Sequence, residues 1–179
     1  MSSRLTTFVQ LFEESSGEAP RVDRIEIPLI QRDYAQGRRG TEVERIRERF
    51  VGRLHEAVVG NRPVSLDFVY GDLTDGTLQL LDGQQRLTTL FLLHWYLAAR
   101  ADRLHERTRW KSLTYETRPS ARRFCQELVS HRLPPATEPA AWVQDEHWYL
   151  FPWRHDPTVQ SMLVMLETIH SHFADADPT

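Results

Sequence analysis

At 179 residues, 40% of them apolar and 26% charged, the chain has the length and balance of one globular domain, or of one domain and the start of another. A net charge of −3 excludes a generally basic nucleic-acid coat, so any contact with nucleic acid has to be local. The single cysteine, Cys125, excludes a disulfide framework and a cysteine-based zinc site within one chain. No apolar run reaches the roughly 18–20 residues of a membrane span, and the N-terminus lacks a basic-then-apolar signal pattern, so no membrane partner and a cytoplasmic location are expected.

In chain order, residues 5–14 place Leu5, Phe8, Leu11 and Phe12 on one helical stripe, with Thr6 or Thr7 as a cap, and a turn follows over Ser15–Pro20. Val22–Ile27 alternates apolar and charged residues and reads as a strand ending at Pro28. A polar loop, Leu29–Gly37, comes next. Residues 41–59 form an amphipathic helix with Val43, Ile46, Phe50, Leu54 and Val58 as its apolar stripe, stopped by Gly60-Asn61. Ser65–Leu73 reads as a strand, Thr74-Asp75-Gly76-Thr77 as a hairpin turn and Leu78–Leu81 as the returning strand. A helix from about Gln85 to Asp102 is apolar enough to be buried on most sides.

After residue 105 the pattern changes. Thr114–Arg118 reads as a short strand, and Ser120 caps a helix to about Val129 that turns Phe124, Leu128 and Val129 inward. His131–Pro139 is a proline-rich loop, an aromatic group runs from Trp142 to Trp153, and Pro157 opens a last helix. The whole is an α+β fold, expected as an α+β unit over 1–105 and a mainly helical part over 106–179 that begins a larger helical region.

Three segments carry candidate chemistry. Leu80–Leu90 delivers Asp82 and Gly83 into a tight turn and opens the next helix with Gln84, Gln85 and Arg86. A helix start offers free N–H groups, glycine permits close approach, and a guanidinium suits phosphate, so this corner can bind phosphate; an aspartate cap with ordinary polar neighbours is the plainer reading. Ile27–Gly37 gathers an amide, a guanidinium, a phenol and a glycine in one loop after a strand, able to clamp a base or phosphate or simply to be solvated. Asp67–Asp72 is a strand running into a turn.

Other features are weaker. There is no P-loop, and Lys111, the only lysine, lies outside any glycine loop. His170 and His172 are too close in register to share a helix face and read as solvated; His94 reads as a core histidine and Cys125 as a buried small hydrophobe. Arg38, Arg39, Arg45, Arg47 and Arg49, interleaved with Glu42, Glu44 and Glu48, read as a salt-bridged face or as a DNA-backbone contact. The Trp142–Trp153 aromatics read as core, or as a stacking platform for a modified base.

Together, Ile27-Pro28 with Gln31-Arg32 and Tyr34, the Asp67–Asp72 strand, and Leu81-Asp82-Gly83-Gln84-Gln85-Arg86-Leu87-Thr88-Thr89-Leu90 resemble the N-terminal domain of GmrSD-type proteins. These are modification-dependent restriction and phage-defence proteins, and SspE of phosphorothioate-linked defence is similar. The resemblance covers roughly residues 5–130, with Trp153–Pro157 similar to a continuation in long members.

The resemblance implies a ParB/sulfiredoxin-like domain, a small mixed sheet with packed helices, that binds and hydrolyses a nucleoside triphosphate. It implies Asp82, Gln84, Gln85 and Arg86 as catalytic residues, and Gln31, Arg32, Tyr34, Gly83, Arg86 and Thr88 as nucleotide-binding residues. Magnesium would sit at Asp82 and Asp72, and Gln84 or Gln85 would position the attacking water. Many members add a His-Asn-His-type nuclease domain, and no such motif stands in these residues; His155-Asp156-Pro157 lacks the further histidine and asparagine. The implied protein is a sensor of modified phage DNA, an N-terminal fragment or split subunit acting through the full-length protein or a nuclease partner; separately, the dense aromatic C-terminal part is expected to be able to drive self-association into a homo-oligomer. The rival expectation is a DNA-binding module that recognises modified DNA without hydrolysis.

Overall fold

The structure is a computed structural model, described over residues 5–13, 21–29, 31–106, 108–116 and 118–176. Four strands form one sheet in the order β2-β3-β1-β4, with β1 at Arg24–Ile27, β2 at Tyr70–Thr74, β3 at Thr77–Asp82 and β4 at Leu113–Tyr115. β1 runs parallel to both β3 and β4, and β2 pairs antiparallel with β3. The helices are α1 (Thr41–Val58), α2 (Gln84–Arg100), α3 (Pro119–Ser130), α4 (Pro139–Asp145) and α5 (Pro157–Phe173), with 3-10 turns at Arg109–Lys111 and Phe151–His155. The α+β class expected from the sequence is the class observed.

β1 and β4 bury alternate residues, as a pleat allows, Ile25 and Ile27 on β1 and Leu113 and Tyr115 on β4; β3 buries Leu80, and β2 buries none of its residues. The Asp75-Gly76 turn has positive φ at both residues, 49° and 75°, the backbone a two-residue hairpin with matching twist demands. β2 is shorter than expected and begins at Tyr70; residues 65–69 of the expected strand form no ladder. α3 takes Pro119 as its first residue, so Ser120 lies inside the helix instead of capping it. α5 opens at Pro157 as expected, and Asp156 caps it: one carboxylate oxygen accepts from the Thr158 and Val159 amides at 2.9 and 3.0 Å.

The N-terminal stripe is turns within its described part, 5–13. Phe8 and Phe12 enter the core while Leu5 stays exposed. Thr7 does cap: its hydroxyl accepts from the Gln10 amide at 3.2 Å, and Gln10 Oε1 accepts from the Thr7 amide at 3.1 Å. The expected end of that stripe and the turn over 15–20 lie outside the described residues.

α1 is rotated from its expected stripe. Its buried line is Arg47, Val51 and Leu54, whereas Ile46 and Val58 are half exposed. The inward arginine is the cause, because its donors reach the Thr168 hydroxyl and two loop carbonyls. The salt-bridged face is not formed either: Glu48 pairs with His172 at 2.8 Å, and Arg39, Arg45 and Arg49 pair with no described carboxylate.

The elements after residue 105 pack with those before it. β4 completes the sheet on the far side of β1, α5 packs on α1, α2, α3 and α4, and one continuous set of buried side chains runs from Phe8 to Phe173. The aromatic group is core in the main: Trp148, Tyr149 and Trp153 are buried with Phe124, Trp142 is partly so, and Phe151 is exposed. Cys125 is buried, and burial pushes its thiol pKa far up, leaving an inert small hydrophobe. Among the described residues no helix is long and apolar enough to cross a membrane.

Candidate functional site

Parallel β1 and β3 end side by side, so the loop after β1 and the turn after β3 meet at one edge of the sheet. Carboxyl ends of adjacent parallel strands are where α/β sheets leave a crevice. Here a cleft of about 430 Å³ opens, lined by Gln31, Arg32, Gln36, Asp82, Gln84 and Arg86, with Val43 and Ile46 of α1 completing its wall.

Gly83 makes the turn possible. It has φ 98°, and a Cβ there would stand 2.7 Å from Val69 Cγ2, so any side chain meets both backbone strain and a neighbouring chain. With Gly83 as the residue before the helix, α2 begins with no side-chain cap and no acid in its first turn. Asp82 therefore does not cap the helix, and the first N–H groups of α2 are left facing the turn with the positive end of the helix dipole.

The loop over 31–38 is fastened along its length. Gln31 Nε2 donates to Leu81 O at 2.8 Å, and Arg118 Nη2 donates to Gln31 O at 3.2 Å. Gln84 Nε2 donates to Arg32 O at 2.6 Å. Gln85 uses both ends of its amide: Nε2 donates to Asp33 O and Oε1 accepts from the Ala35 amide, each at 2.9 Å. Arg38 and Arg118 both pair with the Asp33 carboxylate, and Arg47 Nη1 donates to Gln36 O at 3.0 Å. Gly37 sits so close to α5 that a Cβ would overlap Ser161 O.

Tyr34 and Thr88 are fully buried and do not line the cleft. The Tyr34 phenol lies 2.7 Å from the Thr89 hydroxyl, which also reaches Gln36 Oε1 at 2.6 Å; burial pushes the Tyr34 pKa up and keeps it a neutral phenol. Thr88 bonds the equally buried Tyr115 hydroxyl at 3.0 Å. Both residues hold the loop and α2 to the sheet from below.

What stays uncommitted is a short set. Arg32 is exposed and its guanidinium pairs with no described residue. Gln84 Oε1 and Arg86 Nε are buried without a hydrogen-bond partner. The rest of the Arg86 guanidinium is engaged: Nη2 donates to Phe68 O at 2.5 Å and to Asp82 at 3.2 Å, and Nη1 reaches Asp67 at 3.4 Å. Buried polar atoms are nearly always satisfied, and besides Thr108, Trp148 and Thr158 elsewhere, this helical turn carries both an orphaned acceptor and an orphaned donor at the cleft.

Asp82 and Asp72 do not converge. Asp82 stands opposite Tyr70 and Asp72 opposite Gln79, three residues along β3 or roughly 10 Å at the rise of a strand. Asp82 lines the cleft and Asp72 does not, and among the described residues no group of three or more histidine, cysteine or acidic side chains could hold a metal by itself.

A larger concavity, about 710 Å³, lies between the C-terminal ends of α2 and α5 and the 131–137 loop. Its polar groups are already paired: Arg100 with Ala174 O, Arg132 with Asp102, and His170 with the Tyr96 hydroxyl. It has no free donor or acceptor comparable to those at the start of α2. His170 and His172 are thus bonded to protein groups, on Tyr96 and Glu48, instead of being solvated.

Sequence reasoning missed Arg47, Thr89 and Arg118. For Arg47 a signal existed, since it lies four residues from Val43 and from Val51, on the line that becomes the buried face. Thr89 stands one turn after Gln85 on α2. Arg118, just past the edge strand, reaches the loop only through the β1–β4 pairing, which no local pattern announces.

No curated protein and no solved structure matches the chain. The family model for the GmrSD restriction endonuclease, N-terminal domain, matches residues 8–171, and the chain belongs to that family of restriction-system components.

Proposed function

We propose that the cleft binds a nucleoside triphosphate by its phosphates and hydrolyses it, as the sensing step of a restriction system directed at modified DNA. The observation that carries this reading is the start of α2: uncapped, without an acid in its first turn, and flanked by the Arg32 guanidinium, which pairs with no described residue, and by the unpartnered Arg86 Nε. Backbone N–H groups, a helix dipole and two guanidinium groups around one concavity make a polyanion site without a P-loop. Asp82 supplies the carboxylate for a magnesium ion that arrives with the phosphates, which is how such ions are commonly held. Phosphoryl transfer asks the protein for placement and charge neutralisation, and this set offers both. In this reading the ParB/sulfiredoxin-like architecture carries the nucleotide site, and DNA cleavage belongs to a nuclease domain or partner outside these residues.

Calorimetric titration with each nucleoside triphosphate and magnesium tests it, on the wild-type chain and on Arg32→Ala. Because the Arg32 guanidinium pairs with no described residue, its loss should leave the melting temperature unchanged. Affinity should drop by about 10–100-fold, the scale of one charge-assisted hydrogen bond. Equal affinity in the variant, or no binding by a folded wild type, overturns the reading.

One observation favours a second reading, a DNA-binding module without turnover. Arg45, Arg49 and Arg53 stand at successive helical turns of α1, exposed, and pair with no described residue. DNA binding that falls steeply with salt, from a chain that releases no phosphate with magnesium and nucleotide, selects this alternative.

A further inference from the structure

Gln84 and Gln85 are adjacent, chemically identical and both within the cleft, yet their amides are used in opposite ways. Gln85 has neither end free, because Asp33 O and the Ala35 amide fix its orientation and occupy it. Gln84 is fixed by one end only. Its Nε2 must face Arg32 O, since the flipped amide would set oxygen against oxygen at 2.6 Å. Its Oε1 is then held in the opposite direction, in a side chain only 4% exposed, with no partner. An acceptor kept buried and unpaired costs free energy unless something outside the fold completes it.

Apart from the Asp82 carboxylate, which the nucleotide reading assigns to magnesium, the other groups without a described partner here are donors: the α2 amides, Arg32 and Arg86 Nε. They suit phosphate oxygens, which are acceptors. Gln84 Oε1 cannot bond to such an oxygen and needs a hydrogen-bond donor beside the phosphates. Resting on the nucleotide reading above, we infer that Gln84 Oε1 accepts a hydrogen bond from the water that attacks the terminal phosphate, and that Gln85 is a positioning residue acting only through the loop. In the step, the water oxygen–phosphorus bond forms while the bond from phosphorus to the bridging oxygen breaks, and that electron pair leaves on the diphosphate. The displaced proton passes to phosphate and solvent. A neutral amide takes no proton, so Gln84 orients the nucleophile without acting as a base.

The test measures single-turnover hydrolysis, affinity for a non-hydrolysable β,γ-imido triphosphate with magnesium, and melting temperature. It uses wild type, Gln84→Ala, Gln84→Asn and Gln85→Ala. Gln84→Asn retains both amide functions but withdraws them by one methylene, and so guards against a folding defect in Gln84→Ala. Both Gln84 variants should lose about 10²-fold in kcat while analogue affinity stays within about threefold. Gln85→Ala should lose analogue affinity and thermal stability together. Wild-type turnover that survives in the Gln84 variants overturns the assignment alone, as does a fall in turnover matched by an equal fall in analogue affinity. A wild type that binds the analogue but never turns over overturns the hydrolysis reading, and the assignment with it.

Discussion

Around the cleft, polar side chains hold the backbone; behind it, α2, α3 and α5 are held by burial. The 31–38 loop contributes one large core side chain, Tyr34, and is otherwise positioned by glutamines and arginines reaching across more than fifty residues of sequence. The helical side has the reverse character: Phe91, Leu92, Trp95, Phe124, Leu128, Met162 and Leu166 are all fully or almost fully buried. Apolar burial is non-directional and tolerates small shifts, whereas a side-chain amide or guanidinium sets a backbone position to within hydrogen-bond geometry. A fold that must present a few groups accurately has reason to use the second device at the site and the first everywhere else. The two regions should therefore fail differently when perturbed.

The largest effect is expected behind the cleft. Trp95 is fully buried and its indole N–H donates to Leu128 O at 2.6 Å, joining α2 to α3. Trp95→Ala should cost about 3–5 kcal/mol in chemical denaturation, from lost burial, the cavity left behind and an orphaned carbonyl. That is a large part of the stability of a typical domain. The fraction that remains folded should bind phosphate ligands as wild type does. A change in affinity as large as the change in stability would show that the two regions are not separable.

This contrast also explains what the sequence disclosed. α2, α5 and the Asp75-Gly76 hairpin were legible because each announces itself locally, by a dense apolar helix, a proline opening, and a turn dipeptide. The corner at Asp82–Arg86 was legible as a candidate because glycine, amides and arginine at a strand–helix junction have a local chemical meaning. What was illegible depends on partners far away in the chain. Residues 65–69 look strand-like but find no strand to pair with, and Asp72 looks like a ligand but the hairpin register sets it away from Asp82. Arg47 reads from sequence as part of a salt-bridged face or a DNA-backbone contact, when its partners are on the loop and on α5. Gln84 and Gln85 could not be told apart, because their difference lies in which loop atoms each one meets.

Arg47 offers an intermediate test on the polar side. It is a buried cation whose described partners are two carbonyls and a hydroxyl, Gln36 O, Arg38 O and Thr168 Oγ1 at 3.0, 3.4 and 2.9 Å. Arg47→Met keeps much of the volume but leaves those acceptors in place without their donor. The expected loss is about 1–3 kcal/mol, smaller than for Trp95. Hydrogen exchange should quicken at residues 35–39, phosphate binding should weaken, and exchange within α2 should be unchanged. Slow exchange retained at 35–39 would mean that the Tyr34 and Gln85 contacts hold the loop unaided.

The smallest effect is a pH slope, and it belongs to the apolar side. His94 packs against Phe8 and Trp110, with ring centroids 4.8 and 6.0 Å away, and its Nδ1 lies 2.7 Å from Leu90 O. Burial, partly offset by that carbonyl, lowers its pKa below the ordinary 6.5. Below pH 6.5 the unfolded chain therefore takes up a proton at this residue that the native chain resists, and stability falls as the pH falls toward the native pKa. Above pH 6.5 both states carry neutral imidazole and the contribution is flat. Glu167 works in the opposite direction at lower pH: burial and the neighbouring Glu138 raise its pKa above 4.5, so its native state favours the protonated form and loses that advantage as pH rises through this range. The His94 contribution is isolated by comparing wild type with His94→Leu between pH 5 and 8. The variant should lose the part of the acid-side slope that begins near pH 6.5 and keep the rest, with phosphate affinity unchanged at pH 7.5. An identical slope in both proteins would place the acid sensitivity in other groups, and would leave the aromatic floor of α2 without any titrating residue of its own.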